Sequence, residues 1–212
     1  MICGVDEAGK GAVLGPMVVA AVGCREMDDL PAGVRDSKTL TPKRRESLYD
    51  EITTAFPFTV IEVTAGEIDT LRKEASMNTI VARMHARAIA ALAPETAYCD
   101  ACDVDEERYG RTVAAFSGIS CRVIARHHGD ALYPVVSAAS IVAKVTRDRE
   151  IIKLAEEYGP IGSGYPSDSR TIAFIDDHIE ARGHPPSIAR RSWKTVESLM
   201  EGRRQRTFGD FR

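Results

Sequence analysis

Short apolar runs alternate along this chain with longer stretches of helical periodicity, and that order predicts an α/β layer. Met1 to Val5 is an apolar run short enough to be a buried strand, and Gly15 to Cys24 reads as a second, its hairpin partner through a glycine loop. Phe56 to Thr64 alternates apolar and polar positions and reads as a third strand, with Thr96–Asp100 and Ser120–Arg126 as two more. Helices are predicted from Pro42 to about Thr54, with Thr41 as N-cap and proline at the first helical position, and from Ser76 to Leu92, ended by Pro94. Two more are expected around Asp105–Phe116 and from Pro134 to about Tyr158, the latter stopped by Gly159-Pro160. Residues 161–169 form a Gly/Ser/Pro loop holding Tyr165, and the remainder is helical, less apolar and broken at Gly183-His184-Pro185-Pro186. The expected architecture is a mixed β-sheet flanked by helices, with a ligand crevice at the carboxyl ends of its strands.

Carboxylates fall at those ends. Asp6 and Glu7 follow the first strand, Asp100 closes the fourth, and Asp130 lies in the polar loop that leads into the long helix. Neighbouring side chains on a strand diverge, so Asp6 and Glu7 need the strand to end or a common ligand to gather them. Two carboxylates in a partly buried site raise each other's pKa unless a cation neutralises them, and a divalent metal is the obvious cation. Gly9 and Gly11 let backbone approach a ligand closely, and Lys10 between them offers charge to a phosphate. Carboxylates, metal and phosphate together suggest phosphodiester chemistry. On the long helix, Ser137, Ser140, Ile141, Lys144 and Asp148 share one face, so Ser140 and Lys144 can face the same cluster.

A second reading of the octet Gly4–Gly11 is a phosphate-binding P-loop, since Gly4, Gly9 and Lys10 have its spacing. Against it, Gly11 stands where the metal-binding hydroxyl belongs, and two acids would sit inside the anion cradle. A strand ending in solvated acids is the structural alternative. Cys99 and Cys102 form a C-x-x-C with metal or redox readings beside plain packing, but no second pair completes a zinc site.

Composition narrows the class without choosing the function. The 212 residues fit one sizeable domain or a core with a small appendage, and 44% hydrophobic with 28% charged residues is ordinary for a soluble globular protein. No apolar stretch approaches the ~20 residues of a membrane-spanning helix, and no cleavable leader is evident. Five cysteines without framework spacing fit a reducing compartment, so a cytoplasmic location is expected. A net charge of −3 argues against indiscriminate nucleic-acid coating. From Arg190 to Arg212, however, seven basic residues oppose three acids, a local excess of +4 that suits polyanion binding or a merely solvated tail.

Eight elements, in order, resemble the type 2 ribonucleases H (ribonuclease HII) in their archaeal form. They are Gly4-Val-Asp-Glu-Ala-Gly-Lys-Gly11, Gly15-Pro16, Asp36-Ser37-Lys38-x-Leu40, Tyr98-x-Asp100, Asp130-x-x-Tyr133-Pro134, Ser137-Ala-Ala-Ser140-Ile-x-Ala-Lys144-x-x-Arg147-Asp148, Gly162-Ser-Gly164-Tyr165-Pro-Ser-Asp168 and Arg191-Ser-Trp193-Lys194-Thr. The resemblance implies a ribonuclease H-like α/β fold with a small C-terminal helical extension. It divides the chain into a catalytic domain at 1–160, a helical substrate-binding region at 161–203 and a flexible tail at 204–212. It implies a metal-dependent endoribonuclease that cuts RNA in RNA–DNA hybrids and 5′ of single ribonucleotides in duplex DNA, leaving 3′-hydroxyl and 5′-phosphate ends. Asp6, Glu7, Asp100 and Asp130 carry over as the acids holding Mg²⁺ or Mn²⁺, one or two ions. Gly9, Lys10 and Gly11 carry over as the loop that reaches the 2′-hydroxyl, and Tyr165 as the ring on the next sugar. Lys38, Ser140, Lys144 and Arg191 are phosphate-contact candidates, each with an alternative as a structural ion pair or helix-surface residue. Gln205, Phe208 and Phe211 resemble the peptide that docks on sliding clamps; Arg212 replaces its second aromatic, which predicts reduced affinity. A monomer with no membrane partner is expected. The competing functions are a P-loop NTPase and a non-catalytic, clamp-tethered nucleic-acid adaptor.

Overall fold

The computed structural model describes residues 1–34 and 40–209, the side chains of 204–209 excepted. Five strands form one sheet in the order β3-β2-β1-β4-β5: β1 (Ile2–Ala8), β2 (Met17–Cys24), β3 (Phe58–Val63), β4 (Thr96–Asp100) and β5 (Arg122–Arg126). β1 pairs antiparallel with β2 and parallel with β4, and β4 pairs parallel with β5, so the sheet is mixed as expected.

The first strand runs further than its apolar residues suggest. Its parallel ladder with β4 stops at Val5 opposite Cys99, but the antiparallel ladder with β2 continues through Asp6 opposite Ala20, Glu7 opposite Val19 and Ala8 opposite Val18. The acids therefore lie within β1 rather than after it. Backbone pairing, not side-chain polarity, decides where the strand ends.

Eight α-helices accompany the sheet among the described residues: α1 (Pro42–Ala55), α2 (Ala65–Leu71), α3 (Met77–Leu92), α4 (Glu106–Ser117), α5 (Gly129–Leu132), α6 (Pro134–Tyr158), α7 (Ser169–Arg182) and α8 (Lys194–Gly209). Side-chain caps start most of them. Thr41, Ser76 and Asp105 accept the backbone N–H of Arg44, Thr79 and Arg108, and Asp168 that of Arg170. Two elements go beyond the sequence reading: α2, opened by a reciprocal Thr64–Glu67 capping box, and α5, where a loop was expected around Asp130.

Contacts divide the chain into two compact, discontinuous units: 1–10, 18–62 and 76–147, and 11–17, 63–75 and 148–212. In the first, the amino-terminal part of α6 supplies Val135, Val136, Ala138, Ala139, Val142 and Val145 to one apolar layer. Val18, Ala20 and Val22 of β2 and Leu48 and Ile52 of α1 complete it. The approach to β1 is close: a Cβ on Gly4 would lie 2.2 Å from the Val135 carbonyl carbon, so only glycine permits this packing. α3 and α4 pack together, α3 also against β1 and α4 against β5.

The second unit has its own core, in which Val13, Leu14, Ile151, Ile161, Ile175, Ile179 and Val196 are buried. Arg190 is fully buried there; its Nε and Nη2 each donate to the Gly15 carbonyl at 3.2 Å, and its guanidinium lies over the Trp193 ring. Arg203 donates to Asp176 at 2.8 and 2.7 Å. Two of the seven basic residues of the C-terminal flank thus serve the fold itself. No helix among the described residues is long and apolar enough to cross a membrane.

Candidate active site

The pleat of β1 sends its two acids to different layers. Asp6 shares a face with Gly4 and Ala8, the face that α6 covers, and Ser140 of α6 favours its ionised form. Its Oδ1 also accepts the Glu7 backbone N–H at 2.8 Å. Lys144, one turn beyond Ser140, donates from Nζ to the Ser140 hydroxyl at 2.7 Å. Glu7 points the other way, toward α3, where its Oε2 lies 3.0 Å from Nε2 of His85.

Asp100 ends β4 on the next strand, and its Oδ1 accepts the Gly129 N–H at 2.7 Å. A Cβ on Gly129 would sit 3.0 Å from the Cys99 carbonyl oxygen, and His128 before it takes the left-handed conformation at φ 56°. This tight start to α5 sets the buried Asp130 beside the end of β4.

The electrostatics record that proximity. Burial pushes the Asp6 carboxyl well above its ordinary pKa, and the charges of Glu7 and Asp100 add to the rise. Burial likewise raises Asp100; the Gly129 N–H opposes that rise, while Glu7 and Asp130 reinforce it. Among the described residues, however, no three His, Cys, Asp or Glu side chains stand together as a set able to hold an ion. The divergence of Asp6 and Glu7 accounts for this in part. The donor chemistry nevertheless fits a hard divalent cation, since every candidate ligand is a carboxylate oxygen. Ligation would require the carboxylates to draw inward.

The remaining sequence-predicted residues fall as follows. Gly9 and Lys10 directly follow β1, and Lys10 Nζ donates to the Cys102 carbonyl at 3.4 Å. Gly11 opens the second unit, where Val13 and Leu14 donate to the Gly164 carbonyl at 2.8 and 3.0 Å. Tyr165, half-buried, follows Gly164 in a loop fastened by Ser163 N–H to Asp168 and by Gly164 N–H to Thr171. Arg191 is exposed; Asp69 accepts its backbone N–H, and both border a cavity of about 610 Å³ with Arg72, Lys73 and Ser192. Lys38 and Phe211 lie outside the described residues; Gln205 and Phe208 fall on the backbone of α8, their side chains undescribed.

Sequence reasoning missed His85, Tyr109 and Gly129. A histidine at core spacing on α3 looks like packing, and Gly129 carried no signal except its place before Asp130. The P-loop reading fails structurally, because Gly4 to Ala8 is strand and cannot fold into an anion-binding loop.

The mixed five-stranded sheet with helices on its faces is a ribonuclease H-like fold. The sequence model of the family described as Ribonuclease HII matches residues 3–196. A ribonuclease HII from Methanospirillum hungatei JF-1 is 57% identical over 212 residues, covering 100% of both chains. The crystal structure of the ribonuclease H2 from Pyrococcus horikoshii OT3 superposes with a TM-score of 0.87 at 41% identity, covering 96% of this chain and 98% of that one. A ribonuclease HII from Archaeoglobus fulgidus, solved in complex with PCNA, gives a TM-score of 0.86 at 44% identity over 92% of this chain and 95% of that one. The chain belongs to the ribonuclease HII family and is an endoribonuclease of the type 2 ribonuclease H class, acting on RNA in hybrids with DNA.

Proposed function

We propose that this enzyme cleaves hybrid RNA, and also the phosphodiester 5′ of a single ribonucleotide embedded in duplex DNA, leaving 3′-hydroxyl and 5′-phosphate ends. The proximity of Asp6, Glu7, Asp100 and Asp130 around the ends of β1 and β4 carries the reading. These four acids would hold Mg²⁺ or Mn²⁺. When bound, such an ion activates water and stabilises charge on the attacking and leaving oxygens. The chain's own residues hold and orient. The Glu7 N–H fixes Asp6, whose ionised form Ser140 favours, the Gly129 N–H fixes Asp100, and Lys144 places positive charge beside Ser140. Gly9, Lys10 and Gly11 contact the 2′-hydroxyl and its phosphate, and Tyr165 packs on the following deoxyribose. Lys38 and Arg191 add phosphate contacts along the strand.

We infer further that Gln205, Phe208 and Phe211 form a docking peptide for PCNA, a sliding clamp; the complex solved for the Archaeoglobus fulgidus relative supports that partner. A cytoplasmic monomer is the expected setting, and all five cysteines are free thiols. Incubating a DNA duplex containing one ribonucleotide with the enzyme and Mg²⁺ tests the reading. Cleavage 5′ of the ribose that disappears with a chelator and in Asp6→Asn or Asp100→Asn supports it. Cleavage that survives chelation, or a product cut elsewhere, overturns it.

A further inference from the structure

Behind Glu7 lies a buried polar chain that the reaction as described does not use. His85 is fully buried on α3, among Val81, Ala82 and Ile89, where an unsatisfied imidazole would be costly. Both of its nitrogens have partners: Nε2 lies 3.0 Å from Glu7 Oε2, and Nδ1 lies 3.0 Å from the hydroxyl of Tyr109 on α4. Tyr109 is itself buried and meets the imidazole edge-on, with centroids 5.9 Å apart.

Donor and acceptor roles order this chain. An ionised Glu7 only accepts, so Nε2 carries the proton and donates to it. Nδ1 of the neutral ring then accepts, and the Tyr109 O–H donates to it. From Tyr109 through His85 to Glu7 both donors run toward the carboxylate, and the ring is fixed in tautomer and orientation from both ends. Histidines and carboxylates around metal ligands commonly act this way, orienting the ligand without touching the ion.

We propose that His85, held by Tyr109, is a positioning residue for Glu7. Its Nε2–H commits one carboxylate oxygen to α3, which leaves Oε1 as the atom available to a cation. The proposal rests on the reading of Glu7 as a metal ligand. It assigns to α3 and α4 a share in metal affinity that no direct ligand on either helix supplies.

The test measures Mn²⁺ binding to the nucleic-acid-free protein by titration calorimetry, alongside the Mg²⁺ dependence of cleavage. His85→Phe keeps the ring volume and removes the donor; it should weaken Mn²⁺ binding about tenfold and raise the half-saturating Mg²⁺ in proportion, with a smaller loss of rate at saturation. His85→Gln, whose amide nitrogen reaches the Nε2 position, should keep most of the affinity. Equal weakening in both variants, or unchanged binding in His85→Phe, overturns the proposal. Should His85→Phe fail to fold, Tyr109→Phe decides: it removes one hydroxyl, and Mn²⁺ affinity equal to wild type overturns the proposal. Glu7→Gln separates the two levels. If it leaves Mn²⁺ binding intact, the metal-ligand reading fails and the proposal falls with it. If it weakens binding while His85→Phe does not, only the positioning role fails. In the Glu7→Gln background, His85→Phe should have no further effect.

Discussion

Replacing Gly4 by alanine should loosen the fold and the candidate site together. The new Cβ would lie 2.2 Å from the carbonyl carbon and oxygen of Val135 and 2.4 Å from the Val136 nitrogen. Ordinary contact begins near 3.4 Å, so α6 and β1 must separate by about 1 Å. The obstruction is backbone rather than a flexible side-chain tip, which places the cost at the upper end of overpacking, about 3 kcal/mol. For a chain of 212 residues that lowers the melting midpoint by about 6–12 °C. The same retreat draws Ser140 away from Asp6, so cleavage at a temperature well below the melt should also slow. Scanning calorimetry and single-turnover cleavage measure the two effects. Gly66→Ala is the control: nothing lies within 4 Å of its Cβ, and the substitution should be neutral or stabilising by about 0.4–1 kcal/mol. A Gly4→Ala protein with wild-type midpoint and rate would refute the close packing of α6 on β1.

Asp6→Asn should abolish cleavage yet raise the stability of the chelated protein. Because the folded-state pKa of Asp6 lies above its unfolded value, the native state holds the proton more tightly; stability falls as pH climbs from the ordinary carboxylate range through the raised value. The asparagine escapes that loss, so in chelator its midpoint should exceed wild type near neutral pH and converge with it toward about pH 4, read by melting curves across pH. An Asp6→Asn midpoint that gains nothing on wild type between about pH 4 and neutrality contradicts the assignment. Tyr165→Ala should lose cleavage at single ribonucleotides more than on continuous hybrids, measured as the ratio of the two rates; equal losses refute its role on the neighbouring sugar. Deleting Gln205–Arg212 should spare hydrolysis of short duplexes while abolishing co-migration with PCNA, and a slowed basal rate would make the tail part of the catalytic body.

Much of the architecture was legible because strong local signals agreed with tertiary demands. Thr41-Pro42, Ser76 and Asp105 mark helix starts that the caps realise, and the helix expected from Pro134 to about Tyr158 spans Pro134–Tyr158. The failures are equally local. Strand β1 extends through charged residues because β2 continues to pair with it, which a reading of polarity alone cannot register. The short α2 was hidden although Thr64 and Glu67 carried a capping box, and α5 depends on how closely Gly129 meets β4. The four acids could be named from motif resemblance, but their divergence within a pleated strand, and the histidine waiting behind one of them, belong to three dimensions. Arg190 and Arg203 show the converse error: a basic flank read as one electrostatic feature contains side chains occupied in holding a helical core.

The alternation of Asp6 and Glu7 across β1 has an evolutionary corollary. Adjacent codons place their side chains under the governance of different helices, Ser140 and Lys144 on one side and His85 on the other. Changes that tune one flank of the cluster therefore need not disturb its counterpart.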